Sequence, residues 1–449
     1  MQVHVVGVGA IGSLLAGHTR ALLRLRERAA SAGAAPLRGA RVPKLAIAPR
    51  VAPYLPDEAQ SGVTLHLREK RQAHAPGKPM LGSTVTVERD GARSVESGYT
   101  VEVASAAASE PISVFAPGAH GLEERAGEPA QAIESLIVAT KADATYSVIK
   151  RLLPRITPAT TVVLVQNGMG VLDRLLELWR SPAERPNLVL ASATHGCFLK
   201  RPLHTVHAAF GSLHLGIVPS ARGGSAGFEQ PLDDAMPAEL DLAAIPAHGD
   251  TASLRATVAL LLALPLDVHW EPIRQFQLRA LRKLIINACI NPTTALVDCR
   301  NGELYGQAPA TELFHGLCTE ASQVLEAHAR DARASQGASE ADAAHLSSLP
   351  LADLLTQTDA EGLPLLDASL RPASMLREVE NVVRITAPNW SSMHQDVHSK
   401  RAATEIDYIN GYLSELGRTY GIPTPANDAM TALVKLKSQR VTGSWRVPS

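Results

Sequence analysis

The sequence lacks the features of several classes of protein. Aromatic residues make up 4% of the 449 residues, which argues against the aromatic stacking platforms that bind single-stranded nucleic acid. The 43 basic and 44 acidic residues leave a net charge of −1, so no basic surface for nucleic acid or anionic lipid is indicated. No apolar run reaches the roughly 18 residues that a membrane-spanning helix requires. We therefore expect neither a nucleic-acid partner nor a membrane partner.

Cysteine is also scarce, and its spacing excludes two kinds of site. No two cysteines have the Cys-x-x-Cys spacing of a zinc site or a redox dithiol. This predicts a reducing compartment and no metal centre. Because no targeting presequence precedes the first predicted strand, the cytoplasm is the expected location. The four cysteines are Cys197, Cys289, Cys299 and Cys318.

A glycine-rich turn follows the first predicted strand and opens a predicted helix. Its sequence is Gly7-Val-Gly9-Ala-Ile-Gly12. In a dinucleotide-binding unit the first glycine permits the tight turn, the second lets a pyrophosphate approach, and the third allows close packing of helix on strand. The alternative is a glycine turn of another α/β fold. The predicted cofactor-binding residues here are Gly7, Gly9, Ala10, Ile11 and Gly12.

Two stretches are candidates for the second strand, Lys44–Ala48 and Val63–Leu67. The second is followed by Arg68-Glu-Lys-Arg. A basic residue after this strand suits the 2′-phosphate of NADP, whereas an acidic one suits NAD. Arg68 is therefore predicted to bind NADP. The alternative is a solvated run of charges.

Polar residues follow two later predicted strands. Lys141 comes after Ser135–Ala139, and Asn167 comes after Thr161–Val165. Ligands of open α/β sheets bind at the carboxyl ends of strands, so both are predicted cofactor-side residues. Asn167-Gly168 could equally be a simple turn.

Two further patterns concern strands. Residues 84–103 form two alternating runs around an Asp-Gly pair, which predicts a β-hairpin. The predicted strand His204–Val218 contains His204, His207 and His214. Their spacing fits no metal motif, so we interpret them as surface histidines of a strand.

The changing pattern along the chain predicts two domains. Strands alternate with helices in residues 1–250, and helical periodicity dominates in residues 251–449. The predicted fold class is an α/β N-terminal Rossmann domain with a parallel-rich sheet, followed by an all-α C-terminal domain. Loop-like insertions are expected at about 29–61, 219–250 and 331–372.

One stretch of the helical half carries a polar stripe in apolar surroundings. Lys283, Asn287 and Asn291 recur every four residues between apolar side chains, which aligns them on one face of a buried helix. Buried polar groups require partners, and the partner is either a bound substrate or a neighbouring helix. Pro292 is expected to break or kink this helix.

Later helices add further polar candidates. Ser391 or Ser392 is predicted to cap a helix, and the segment Thr404–Gly411 is predicted to continue that helix. The carboxylate of Glu405 lies in this segment, where an exposed helix carboxylate is the alternative interpretation.

Five motifs in this order resemble the 2-dehydropantoate 2-reductase (ketopantoate reductase) family, and most closely its longer fungal members. The resemblance spans residues 1–425 and does not cover the three insertions. The motifs are Gly7-Val-Gly-Ala-Ile-Gly12, Ala139-Thr-Lys-Ala142, Gln166-Asn-Gly-Met-Gly170, Lys283-Leu-Ile-Ile-Asn-Ala-Cys-Ile-Asn-Pro292 with Asn301-Gly-Glu-Leu304, and Asn389-Trp-Ser-Ser-Met393 with Thr404-Glu-Ile-Asp-Tyr-Ile-Asn-Gly411.

The resemblance implies a reaction and roles for particular residues. The family reduces 2-dehydropantoate to (R)-pantoate with NADPH on the route to pantothenate, in a cleft between a Rossmann domain and a helical domain. By position, Lys283 matches the catalytic lysine, and Glu405 accepts from the substrate hydroxyl or orients the lysine. The implied substrate-binding residues are Asn287, Asn291, Asn389 and Ser392.

The sequence departs from the family pattern at one place and leaves alternatives open. The spacing between Met393 and Thr404 is one residue longer than in the family, and one residue turns a helix by about 100°. Ser392 and Glu405 would then not share a helix face. Two other functions stay open: a related two-domain dehydrogenase for another 2-keto or 3-hydroxy acid, and a non-catalytic NADPH sensor. A monomer or a homodimer is expected.

Overall fold

The computed structural model describes residues 1–31, 47–57, 60–67, 83–104, 112–118, 121–125, 131–220, 240–335, 354–360, 362–400 and 404–444. Its strands are β1 (Gln2–Val6), β2 (Gly62–Leu67), β3 (Thr84–Arg89), β4 (Ala92–Ser97), β5 (Thr100–Val103), β6 (Ser113–Gly118), β7 (Gly121–Glu124), β8 (Ser135–Val138), β9 (Thr161–Val165), β10 (Asn187–Ala193), β11 (Gly196–Arg201), β12 (His204–Ala209), β13 (Leu213–Ile217), β14 (Val268–Trp270), β15 (Leu355–Thr358) and β16 (Pro364–Leu366). Its α-helices are α1 (Ala10–Ser31), α2 (Ala142–Leu152), α3 (Val171–Leu176), α4 (Ala252–Leu262), α5 (Ile273–Val297), α6 (Ala308–Ser335), α7 (Pro372–Ile385), α8 (Ser392–His398), α9 (Asn410–Tyr420) and α10 (Pro425–Thr442).

The described residues form two compact units. The first comprises 1–166 and 178–273, and the second comprises 167–177 and 274–449. The predicted boundary at residue 250 therefore lies before the observed division, because β14 pairs with β13 and α4 packs into the core of the first unit. A short segment around α3 groups with the second unit although strands of the first unit flank it.

The first unit is built on a large sheet with the order β14-β13-β10-β9-β8-β1-β2-β5-β6-β7. The strands from β10 to β5 in this order are parallel, and they are almost entirely buried and rich in Val, Leu and Ile. Parallel strands with this composition have both faces covered. The predicted Rossmann-type α/β fold with a parallel-rich sheet is confirmed.

A second, four-stranded sheet in the first unit has the order β11-β12-β3-β4. The predicted Asp-Gly hairpin is its β3–β4 pair, and Asp90 and Gly91 both have positive φ, as a two-residue hairpin turn requires. The sheet contacts α1, and the buried side chain of Val85 joins the core around that helix.

The prediction that His204, His207 and His214 are surface residues is wrong. All three are buried, and each has a polar partner that offsets the cost of burial. His204 Nε2 lies 2.9 Å from a carboxylate oxygen of Glu88, and His214 Nδ1 lies 2.8 Å from one of Glu271. The period of a strand indicates which residues share a face, but it does not indicate what covers that face.

The second unit is mainly helical, as predicted, with one small sheet formed by β15 and β16. Its core gathers apolar side chains from α5, α6, α7, α9 and α10. Each such fully buried aliphatic side chain contributes about 1.5–3 kcal/mol of hydrophobic stabilisation. None of the helices within the described residues is long and apolar enough to cross a membrane.

Two helix predictions in this unit need correction. Helix α5 does not end at Pro292 but continues to Val297 with the proline inside it. Helix α8 ends at His398, so Glu405 lies in a separate 3₁₀ turn, Glu405–Tyr408. Ser392 and Glu405 therefore lie in different elements. The additional residue before Thr404 does not turn one away from the other by about 100°, because an added residue has that effect only within one helix.

Candidate active site

The glycine turn of the first unit has the geometry that its sequence predicts. Gly7 has a φ of +84°, and a Cβ there would collide with the backbone of Ala139 and Thr140. A Cβ at Gly12 would collide with the carbonyl of Gly7, so both glycines are required by packing. At Gly9 a Cβ would meet only the Gly7 carbonyl oxygen, at 4.0 Å. Packing among the described residues therefore does not account for a glycine at position 9, whereas a closely approaching ligand would.

The structure describes most, but not all, of the other predicted cofactor-side residues of this unit. Helix α1 begins at Ala10, so the amides of Ala10, Ile11 and Gly12 belong to its first turn, whose N–H groups lack helical acceptors. Lys141 follows β8 and caps α2 in an extended conformation. Arg68 lies outside the described residues, as does most of Lys44–Ala48, while Gly62–Leu67 is the strand that pairs with β1.

The polar stripe of the second unit lies on α5, which is one continuous helix across all three positions. Lys283 and Asn287 are partly buried, and Asn291 is buried at 7% exposure. The flanking residues Leu284 and Ala288 belong to the core of the unit. The apolar flanks therefore fix the orientation of the helix, with Lys283 and Asn287 on its less buried face and Asn291 covered.

The carboxylate of Glu405 is buried, at 6% exposure, in contrast to the exposed alternative. The amide Nδ2 of Asn167 lies 3.5 Å from its Oε2, and the Met169 N–H donates to the Tyr408 carbonyl over 2.9 Å. Gly168 has a φ of +84°, and a Cβ there would lie 2.5 Å from that carbonyl oxygen. Glycine is thus required at position 168 to bring Asn167 beside the Glu405 turn.

Lys283 and Glu405 interact electrostatically. Burial lowers the pKa of Lys283 from 10.5 to about 8, and the negative charge of Glu405 acts in the opposite direction. Desolvation disfavours the charged amine, and the carboxylate restores part of what burial removes. A lysine with this pKa exchanges protons near neutral pH, as a general acid must.

The segment that carries Asn389 is held against the end of α5. The Asn301 N–H donates to the Asn389 carbonyl over 3.0 Å, and the Arg300 guanidinium donates to the Pro388 carbonyl over 2.9 Å. The side chain of Asn389 is exposed. Its backbone is fixed while its amide group stays accessible to a ligand.

The two serines that follow have different surroundings. Ser391 is the N-cap of α8: its Oγ accepts from the His394 N–H and lies 2.7 Å from the hydroxyl of Thr294 on α5. Ser392 is exposed. The structure therefore assigns the capping role to Ser391, and it leaves the side chain of Ser392 on the surface of the unit.

Sequence reasoning did not single out two residues that the structure connects to these groups. Asn301 is buried beside Asn389, and its Oδ1 has no hydrogen-bond partner among the described residues. Asn410 is fully buried and donates to a backbone carbonyl of α5. Both stand in motifs quoted above, and only the three-dimensional contacts separate them from the other polar residues of those motifs.

One group in the first unit has the composition of a metal site. His4, His66 and Glu102, on three neighbouring parallel strands, have potential ligand atoms within 4.8 Å of one another. Both oxygens of Glu102 accept from the guanidinium of Arg155, over 2.6 and 2.9 Å. The carboxylate and guanidinium charges already balance, so a divalent cation would add two uncompensated positive charges to a buried site. We therefore interpret this group as a structural network.

A glycine turn that opens a parallel-sheet unit, followed along the chain by a helical unit with a lysine and a buried carboxylate, is the arrangement of a two-domain, dinucleotide-binding oxidoreductase. The family models for "Ketopantoate reductase PanE/ApbA" and "Ketopantoate reductase PanE/ApbA C terminal" match residues 49–220 and 275–438. The chain belongs to the ketopantoate reductase family.

Individual relatives agree with this membership. A probable 2-dehydropantoate 2-reductase of Schizosaccharomyces pombe is 30% identical over 316 residues, which are 69% of this chain and 77% of the relative. The 2-dehydropantoate 2-reductase of Saccharomyces cerevisiae is 27% identical over 331 residues, 70% of this chain and 77% of the relative.

Solved structures share the fold at low sequence identity. A D-mandelate dehydrogenase with NADH and anilino(oxo)acetate has a TM-score of 0.60 at 16% identity, with 98% of this chain and 99% of that chain covered. A ketopantoate reductase of the PanE/ApbA family from Ralstonia eutropha JMP134 has a TM-score of 0.57 at 17% identity, with the same coverage. At these identities the likeness concerns the fold alone.

Proposed function

We propose that this chain reduces 2-dehydropantoate to (R)-pantoate with NADPH, on the route to pantothenate. The observation that carries the proposal is the pair of Lys283 and Glu405 in the second unit, with Asn287 and Asn291 in line with the lysine along α5. Family membership supports the same reaction. NADPH, when bound, supplies the hydride to the carbonyl carbon.

Lys283 has the central role in the proposed reaction. Its ammonium group stabilises the negative charge that develops on the carbonyl oxygen and then transfers a proton to it. A pKa of about 8 keeps the amine mostly protonated at neutral pH while it remains acidic enough to release the proton. Glu405 supports the charged form of the lysine and is positioned to accept a hydrogen bond from a substrate hydroxyl.

The asparagines are proposed to place the substrate. Asn287, Asn291 and Asn389 offer amide donors and acceptors without charge, so they hydrogen-bond a hydroxyl and a carboxylate without repelling the anion. The exposed hydroxyl of Ser392 is proposed to join them. On the cofactor side, the glycine turn and the first turn of α1 are proposed to hold the pyrophosphate, with Asn167 and Lys141 as further contacts and Arg68 as the contact for the 2′-phosphate.

The test follows NADPH absorbance with purified protein and 2-dehydropantoate. We expect turnover by the natural chain and a loss of roughly 10²–10⁴-fold in kcat for Lys283→Ala, the usual effect of removing an acid–base group. Lys150→Ala, at an exposed position of α2, is the matched control and should retain full activity. Full turnover by a folded Lys283→Ala protein would contradict the assignment.

A panel of substrates and cofactors distinguishes the alternatives. A related dehydrogenase would prefer another 2-keto acid, and phenylglyoxylate belongs in the panel because the D-mandelate dehydrogenase shares the fold. A sensor would bind NADPH without oxidising it in the presence of any acid. Replacing NADPH with NADH should lower kcat/KM, since a 2′-phosphate contact is proposed.

We further propose that the protein works in the cytoplasm as a monomer or a homodimer. The four free thiols support a reducing compartment, where disulfides are rare. Cell fractionation tests the location, and sedimentation equilibrium tests the oligomeric state. Recovery in an oxidising compartment or a larger assembly would overturn the respective proposal.

A further inference from the structure

Helix α5 contains a backbone carbonyl that lacks its regular donor in the helix. In an α-helix the carbonyl of residue i accepts from the N–H of residue i+4. The residue four positions after Ala288 is Pro292, which has no N–H, and yet the helix continues to Val297. An unpaired carbonyl at this depth would be costly, since Ala288 is buried.

The missing donor is supplied by Asn410. Its Nδ2 donates to the Ala288 carbonyl over 3.0 Å and also to the Oδ1 of Asn427 over 3.0 Å. Asn410 and Asn427 are both fully buried, at 0% exposure. Neither amide contacts solvent, so their hydrogen bonds are not exchanged for bonds to water.

The direction of every link in this chain of hydrogen bonds is fixed by Glu320. Its carboxylate accepts from Asn427 Nδ2 over 2.8 Å and from the Asn427 and Ala426 backbone N–H groups over 3.0 and 2.8 Å. Because an ionised carboxylate only accepts, the Asn427 Nδ2 must face it, and its Oδ1 must therefore face Asn410. The negative charge lies at the N-terminus of α10, where it is favourable.

The position of Asn410 in the chain gives this contact its significance. Asn410 follows the Glu405–Tyr408 turn with one residue between, and it is the first residue of α9. Its partner carbonyl, at Ala288, adjoins Asn287 and lies between Lys283 and Asn291 on α5. The hydrogen bond thus ties the segment that carries Glu405 to the segment that carries the stripe.

We propose that Asn410 is a positioning residue that sets Glu405 against Lys283 by pairing the carbonyl that Pro292 leaves without a donor, with Asn427 and Glu320 as its anchor. This inference rests on the proposed function, in which Glu405 supports the charged form of Lys283. Pro292 makes the contact possible, because an N–H at that position would compete for the same carbonyl.

The first test replaces Asn410 by Ala. The substitution removes the link, so Glu405 moves relative to Lys283, and displacements of this kind cost about 10²-fold in turnover. We expect kcat/KM for the keto acid to fall by about that factor, while the Kd for NADPH stays unchanged. The alkaline fall of kcat/KM should also move to lower pH. Burial lowers the pKa of Lys283 and Glu405 raises it, so a displaced Glu405 leaves the lowering by burial less opposed.

Asn187→Ala is the matched control for a merely structural effect. Asn187 is also a buried asparagine whose amide donates to backbone carbonyls, those of Pro158, Thr160 and Asp250, but it lies in the first unit at the start of β10. Its loss should lower Tm and leave kcat/KM and the pH profile unchanged at temperatures where the protein is folded. If Asn410→Ala lowers Tm without altering kcat/KM or the pH profile, Asn410 is structural and the proposal is wrong.

A second background keeps the test decisive if Asn410→Ala does not fold. Pro292→Ala restores an N–H four residues after Ala288, so Asn410→Ala should fold in that background and should lower Tm by less than in the natural chain. The difference between the two backgrounds measures the coupling of positions 292 and 410. Equal losses in both would show that Asn410 does not replace the missing donor, and they would overturn the proposal.

A final readout does not depend on turnover of 2-dehydropantoate. The pH dependence of Lys283 modification by an amine-reactive reagent, followed by mass spectrometry, reports its pKa directly. We expect the midpoint of modification to lie at lower pH in Asn410→Ala than in the natural chain, and an unchanged midpoint contradicts the inference. A natural chain that turns over no keto acid but shows this shift would refute the proposed function and retain the positioning role.

Discussion

The titration of Lys283 leads to a quantitative prediction about pH. The fall of its pKa from 10.5 to about 8 corresponds to roughly 3 kcal/mol that disfavours the charged amine. A proton donor acts in its protonated form, so activity is full below the pKa and declines above it. With a pKa of about 8, roughly nine tenths of the lysine is protonated at pH 7 and roughly one tenth at pH 9. We expect kcat/KM to fall about tenfold between these two pH values.

Glu405→Gln changes this profile in a direction that the structure specifies. Glu405 raises the pKa of Lys283, so removing its charge should lower the pKa further and move the fall in kcat/KM by about one pH unit or more towards acid. Lys283→Arg should turn over more slowly, because a guanidinium stabilises negative charge but does not release its proton, and its remaining kcat/KM should lack the fall. The assay measures kcat/KM from initial rates of NADPH oxidation at saturating NADPH, which reports groups of the enzyme before the keto acid binds.

The control for the charge itself is Glu415→Gln. Glu415 is exposed on α9, so its removal alters the net charge by the same amount and should leave the profile unchanged. The reasoning fails if the alkaline fall persists in Lys283→Arg, since another group would then cause it. It fails equally if Glu405→Gln leaves the midpoint where it was.

Three further predictions concern the cofactor turn, acid stability and the helical unit. Gly9→Ala should keep the natural Tm, because its nearest described atom would be 4.0 Å away, but weaken NADPH binding at least about tenfold in a fluorescence titration. Burial lowers the pKa of His66 from 6.5 to about 4, so the free energy of unfolding should be highest above pH 6.5 and should decrease as pH falls. The decrease should reach roughly 3 kcal/mol by pH 4. In thermal melts, His66→Gln should make this decrease smaller. Gly168→Ala should destabilise the protein by about 2 kcal/mol in urea, because of its positive φ and its contact with Tyr408.

Each of these predictions has an outcome that would refute it, and two of them have a matched control variant. An unchanged Kd in Gly9→Ala would show that no phosphate approaches that backbone. His248→Gln, at an exposed histidine, should leave the acid decline as it is, and an equal effect of the two histidine substitutions would refute the role of burial. Gly316→Ala, inside α6 with no atom within 4 Å of the added Cβ, should be neutral or stabilising by up to about 1 kcal/mol, whereas equal losses at both glycines would contradict the packing argument at position 168.

The sequence predicted correctly those elements that are determined by residues within the element itself. The glycine turn, the parallel strands and the helical conformation around Lys283 follow from side-chain periodicity and from the conformational freedom of glycine. The Asp-Gly hairpin at 84–97 follows from turn chemistry in the same way. In each case the residues that determine the element lie within the element.

The predictions that failed depend on contacts distant in sequence. The expected break at Pro292 is absent from α5. Here the hydroxyls of Thr293 and Thr294 donate to the carbonyls of Cys289 and Ile290, and Asn410 donates to Ala288. The histidines of β12 and β13 are buried because other strands and loops supply their partners. A single sequence does not indicate which distant residue will supply a donor or cover a face.

The sequence predicted which residues are candidates for the site, but it did not predict which residues contact them. Lys283, Asn287 and Asn291 were recognisable because three polar residues at helical spacing stand out in an apolar run. The burial of Glu405 beside Asn167 was not recognisable, since 238 positions separate the two. The sequence therefore indicates the residues proposed to contact a substrate, and the structure adds the residues that pack and hydrogen-bond around them.

The division of the chain has a consequence for any attempt to study its halves separately. Because residues 167–177 group with the helical unit while residues 178–273 return to the sheet unit, the polypeptide passes from one unit to the other three times. A gene cut after codon 273 would leave α3 and Asn167 on the wrong fragment. The sheet fragment would expose the apolar side chains of that segment, and the helical fragment would lack the backbone that pairs with Tyr408. Neither unit is a single continuous segment of the chain, so neither can be expressed or exchanged by cutting the gene at one position.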